Sequence, residues 1–96
     1  MIIEWSPLSA ERLTEIVNHI SEDNPNAARK LASGVFASVE KLIKFPKSGR
    51  IVPELGIPKC REILVGNYRI INSIVEDAIL ILTIRHQKQL LKNKDI

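Results

Sequence analysis

Apolar positions along the chain follow two different periods, and the change between them falls in a stretch rich in proline and glycine. Ile2, Ile3 and Trp5 around Glu4 read as a short opening strand, closed by Ser6-Pro7, where Ser6 can cap a helix and Pro7 can take its first position. Leu13, Ile16, Val17 and Ile20 then recur at i, i+3, i+4, i+7 and predict a helix to about Glu22, with Glu11, Arg12, Glu15 and Asn18 on its outer face. Asn24-Pro25 repeats the cap and proline signal. Ala28, Leu31, Ala32, Val35, Val39 and Leu42 carry the helical period onward until Phe45-Pro46 stops it. Two amphipathic helices joined by so tight a turn form an αα-hairpin.

Residues 46–59 hold three prolines and two glycines without a sustained period and read as a long loop, a feature more often functional than idle. From Cys60 the period becomes two. Cys60–Val65, Tyr68–Val75 and residues 78–85 read as antiparallel strands joined by two-residue turns at Gly66-Asn67 and Glu76-Asp77. Such turns set Val65 opposite Tyr68, Arg61 opposite Asn72, Val75 opposite Ala78 and Arg69 opposite Ile84. One face then carries Ile63, Val65, Tyr68, Ile70, Asn72, Ile74, Ile79, Ile81 and Thr83. The other carries Cys60, Glu62, Leu64, Arg69, Ile71, Ser73, Val75, Ala78, Leu80, Leu82 and Ile84, with Arg61 and Arg85 at the rim of the first. The fold class is therefore α+β: an N-terminal strand, an αα-hairpin on one face of a three- to four-stranded antiparallel sheet, and a short basic tail. Both sheet faces are largely apolar while one helical hairpin covers only one, so the second face calls for a partner chain or a dimer contact. The alternative is that residues 87–96 fold back as a short helix through Leu90 and Leu91. Arg69 on that face must pair with Glu62 or meet an anionic partner.

With 96 residues and 45% apolar side chains, the chain suits a single domain, residues 1–96, that needs no metal or disulfide to fold. Residues 1–48 hold six basic and six acidic side chains, residues 49–96 eight and five, so the net charge of +3 is all C-terminal. A field of that kind favours an acidic partner. Cys60 is the only thiol, and with His19 and His86 it offers no metal-ligand spacing. No cofactor is expected. Glu4 and Pro7 interrupt any signal-peptide core and the longest apolar run is residues 78–82, so a cytoplasmic protein without membrane contact is expected. Nucleophile elbows, phosphate loops and dinucleotide fingerprints are missing.

Several short strings, in this order and spacing, resemble the ParE/RelE superfamily of type II toxins, nearer ParE: Trp5 before the capped helix; Pro25-Asn26-Ala27-Ala28; Phe45-Pro46-Lys47-Ser48-Gly49-Arg50 with Val52-Pro53-Glu54; Arg61-Glu62; Gly66-Asn67-Tyr68-Arg69-Ile70-Ile71; and Ile84-Arg85-His86. The resemblance implies a toxin of a toxin-antitoxin pair, neutralised by a cognate antitoxin and forming a homodimer or a toxin-antitoxin hetero-oligomer. For a ParE-like member the implied target is DNA gyrase; for a RelE-like one, the ribosome and mRNA, cut without a metal. The alternatives are such an mRNA interferase, or a degenerate homologue that only binds antitoxin. In-line cleavage needs a base, an acid and cations around phosphorus. Arg69, Arg85 and His86 could serve, but Glu62 and either Leu64 or Cys60 stand where the resemblance leads one to expect lysines, and Tyr68 is the only tyrosine. No catalytic residue is assigned. Asn72 stands where many relatives carry an aromatic residue. Arg50, Glu62, Leu64, Arg69, Ile71, Leu80, Leu82, Arg85, His86 and Lys88 are the candidate contacts to target or antitoxin.

Overall fold

The computed structural model describes all 96 residues. In chain order it comprises β1 (Ile2–Trp5), α1 (Pro7–Asp23), α2 (Pro25–Lys41), β2 (Arg50–Ile51), β3 (Cys60–Val65), β4 (Tyr68–Val75), β5 (Ala78–His86) and a 3-10 turn at Asn93–Asp95. Both cap signals act as read: Ser6 Oγ accepts from the Ser9 N–H at 3.0 Å, and Asn24 Oδ1 accepts from the Ala27 N–H at 3.1 Å. Helix α2 ends earlier than its apolar period. The amides that follow it, of Leu42, Ile43 and Lys44, turn to carbonyls three residues back and tighten into a non-α turn.

The sheet has five strands, not three or four, in the order β1-β5-β4-β3-β2, and it is mixed: β1 runs parallel to β5. The extra strand, β2, is two residues long and too short to show a period. It lies on β3 because Gly49 permits close approach: a Cβ there would stand 2.5 Å from the Glu62 carbonyl oxygen. Arg61 Nη1 fastens the same segment by donating to the Gly49 carbonyl at 2.8 Å.

The β3-β4 register is the one expected, with Arg61 opposite Asn72. The β4-β5 register starts as expected at Val75 and Ala78 but slips at a bulge: Asn72 faces Ile81, whereas Ile71 faces Thr83. Leu82 is the extra residue. Its carbonyl accepts from Ser6 Oγ–H at 2.8 Å, so the helix cap also satisfies the bulge. Beyond it every β5 side chain changes face. Arg69 faces Arg85 instead of Ile84, Ile84 joins the helix-side core, and Thr83 and Arg85 move to the other side.

On the helix side Leu13, Val35, Val39, Leu42, Ile70, Ile79, Ile81 and Ile84 form the larger core. The opposite face is not bare as expected. Val52, Cys60, Ile71 and Leu91 make a second core, flanked by Leu55, Ile57, Leu82 and Ile96. The long loop and the tail both cover this face. The tail does so without a helix through Leu90 and Leu91: Leu91 is 3% exposed while Leu90 is 76% exposed, as alternation in an extended segment requires.

Replacing Ser6 by Ala removes the cap of α1 and strands the Leu82 carbonyl, so Ser6→Ala lowers stability by about 1–2 kcal/mol, read as a shift in the urea midpoint. Glu76, in the β4-β5 turn, holds a φ of 54°, in the left-handed region. Glu76→Gly relieves this and raises stability by about 1 kcal/mol in the same assay.

Candidate functional site

Arg69 lies in the middle of β4, opposite Leu64 of β3 and Arg85 of β5, and is 4% exposed. A guanidinium so placed must be neutralised and hydrogen-bonded. Its Nε donates to Glu62 Oε1 at 2.7 Å. Its Nη1 and Nη2 donate to Glu54 Oε2 at 2.6 Å and Oε1 at 2.7 Å, a bidentate fork, and Nη1 also reaches the Gln89 carbonyl at 3.0 Å. Each partner belongs to a different segment. Glu54 comes from the long loop, Glu62 from β3 and Gln89 from the tail. The tail is tied again where the Leu91 N–H donates to Glu54 Oε2 at 3.1 Å, and Glu62 Oε2 accepts from Arg50 Nε at the start of β2.

The Arg69 hydrogen bonds hold Glu54 down from the usual 4.5 to about 2, against the opposing effect of burial and with help from its own and the Leu91 N–H groups. Glu54 in turn raises Arg69, with Glu62 adding to it. Arg85, beside Arg69 on the same face, is separated from it electrically by its own acid, Asp95, at 3.2 Å. The Lys92 N–H chiefly, and then Arg85, lowers the pKa of Asp95. Nowhere do three or more His, Cys, Asp or Glu side chains gather to hold a metal.

Residues 3–91 match the family described as the ParE toxin of the type II toxin-antitoxin system parDE. The chain belongs to the ParE toxin family. It is 33% identical over 89 residues to a candidate toxin designated Y4kP from Sinorhizobium fredii (strain NBRC 101917 / NGR234), covering 91% of this chain and 88% of that protein. A solved structure described as the chromosomal ParDE system from P. aeruginosa has the same fold, with a TM-score of 0.75, 21% identity, and coverage of 90% of this chain and 95% of that one.

On this ParE fold the candidate residues divide into three groups. Arg50, Glu62 and Arg69 converge on the node, Arg85 stands beside it paired with Asp95, and Ile71 and Leu82 lie in or against the second core. Leu64, 52% exposed, Leu80, half-buried, and Lys88, exposed, remain accessible around it. His86 is apart. It pairs with Tyr68, so its ring is on the helix side, edge-on to the Tyr68 ring at 5.6 Å, with Nδ1 accepting from the Lys88 N–H at 3.2 Å. Arg69 and His86 therefore do not share a face. The pairing of Arg69 with Glu62 was readable from strand register; Glu54 was not, because a loop residue has no register, and its only signal was a carboxylate within the Val52-Pro53-Glu54 string.

Because the folded pKa of Glu54 is depressed, its contribution to stability is fully present above about 4.5 and is lost as pH falls toward about 2. Glu54→Gln flattens the dependence of stability on pH across that window. It also speeds hydrogen exchange at the Leu91 amide at neutral pH, as NMR would record.

Proposed function

We propose that this ParE-family chain is a cytoplasmic toxin that acts by binding, with DNA gyrase as its target, and that a cognate antitoxin silences it by covering the exposed rim of the tail-side face. The carrying observation is the closure of Arg69. The cation that a phosphodiester-cleaving site would present to the scissile phosphate is buried and saturated by two carboxylates, which would repel such a phosphate. His86, the nearest imidazole, is on the opposite face. With neither cation nor base presented together, binding is favoured over mRNA cleavage as the mode of action.

The surface left for partners suits this role. Leu64 and Val75, 52% and 49% exposed, offer apolar contact on the tail side, with the exposed cations Arg50 and Lys88 beside the node. An antitoxin segment with alternating apolar and acidic residues fits it. No helix is long and apolar enough to cross a membrane.

Purified toxin at micromolar concentration is expected to inhibit gyrase supercoiling or trap its cleavage complex, and addition of antitoxin to reverse this. Unimpeded supercoiling would sink the gyrase assignment. Ribosome-dependent mRNA cleavage in a translation extract, lost in Arg85→Ala, would instead establish the interferase reading. Arg69→Ala cannot serve in that assay, since removing the partner of a buried carboxylate costs about 3–5 kcal/mol and confounds activity with unfolding. Harmless overexpression without antitoxin would mark a degenerate homologue.

A further inference from the structure

A second concentration of charge lies on the helix side of the sheet, beyond the reach of the helices and on the opposite face from Arg69. Lys47, Pro58, Lys59, Arg61, Asn72 and Ile74 line a pocket of about 410 Å³. Three of these side chains are cationic and none is acidic, and none of the three cations takes part in an ion pair. The guanidinium of Arg61 is held in place through Nη1, which donates to the Gly49 carbonyl at 2.8 Å and to the Lys47 carbonyl at 3.5 Å, leaving its Nε and Nη2 donors free.

Asn72 supplies the decisive detail. It is directly opposite Arg61 in the β3-β4 ladder, is 1% exposed, and its amide nitrogen has no hydrogen-bond partner. A buried amide donor without an acceptor is costly, and this one lines a cavity walled by positive charge. What completes it is an acceptor that is also an anion. The geometry points to a binding site for a phosphomonoester: phosphate oxygens accept from Asn72 Nδ2 and Arg61, Lys47 and Lys59 balance the charge, and Pro58 and Ile74 form an apolar seat for the organic part. A phosphate dianion suits three cations better than a single carboxylate does, because it brings more charge and more acceptor oxygens to one point. The site shares no residue with the Arg69 node and stands whatever the toxin's target. Its phosphate can come from a free nucleoside monophosphate or from the phosphorylated 5′ end of a nucleic acid.

Titration of the 15N-labelled full chain with inorganic phosphate, followed by NMR, tests this. A saturable shift of the Asn72 side-chain amide and of the Arg61 Nε–H is expected, absent with acetate at equal ionic strength. Adenosine monophosphate, and an oligonucleotide with and without a 5′-phosphate, then separate the two sources by which phosphate-bearing probe binds more tightly. Lys47→Gln and Lys59→Gln, both at exposed positions, should each weaken phosphate binding by about tenfold or more. Asn72→Leu should abolish it while the melting curve stays cooperative, and if that variant does not fold the two lysine variants decide. No shift at Asn72, an equal response to acetate, unchanged affinity in the lysine variants, or tighter binding of an acidic peptide than of any phosphate would overturn the proposal.

Discussion

The buried guanidinium of Arg69 is the constraint around which half of this molecule is arranged. An arginine at the centre of an apolar sheet cannot stay charged unless its donors are met, and no single neighbouring strand can meet them all. Glu62 on β3 reaches Nε and Nη2 but not Nη1. The far edge of the fork faces away from the strand, toward whatever covers the sheet, and Glu54 can approach it only if the long loop folds over the face. That loop carries Val52, Leu55 and Ile57 with it, so the second core and the ion pairs form together: the core excludes water from Arg69 and Glu62, and Glu54 holds the loop over the core. Buried ion pairs of this kind seldom add stability over well-packed apolar side chains, so their effect here is to fix the position of segments that have little local preference of their own.

A second, smaller device fixes where Arg85 stands. One extra residue at Leu82 turns the last third of β5 over, which places Ile84 among the helix-side apolar residues and brings Arg85 to the side of Arg69. Two arginines opposite each other repel. Asp95 resolves the conflict, and it arrives on the same tail that Leu91 anchors to Glu54. Bulge, arginine pair and tail therefore form one arrangement, and its starting point is the N-cap Ser6, whose hydroxyl takes up the carbonyl that the bulge leaves free.

The contrast between what the residue pattern discloses and what it conceals follows the range of each interaction. Both helices and their caps, and the two hairpins of β3, β4 and β5, depend on contacts within a few residues and leave a period or a turn signal. The parallel pairing of β1 with β5, the addition of β2 and the docking of the tail depend on partners far away in sequence. The bulge falls between these cases. Simple alternation carried through residues 78–85 assigns Thr83 inward and Ile84 outward, and an Ile next to a Thr at that point hints that the phase should change, but period alone does not say where. For the candidate site, Glu62 could be paired with Arg69 from register, whereas Glu54 and Gln89 could not, since neither belongs to a strand.

The distribution of cations bears on what kind of function the fold can support. Catalysis on a phosphodiester needs a positive group that is both fixed in geometry and open to substrate. Arg69 is fixed but closed. Arg50, with its side chain 60% exposed, is open, yet its Nε already serves Glu62. Lys88, Lys92 and Lys94 are open, but none of them takes part in an ion pair or side-chain hydrogen bond that would fix its ammonium group. The tail-side face thus separates preorganisation from access, which suits a surface that attracts and holds an acidic chain more than one that performs chemistry. The net charge of the C-terminal half, once its buried arginine is set against Glu54 and Glu62, belongs to the periphery of the sheet.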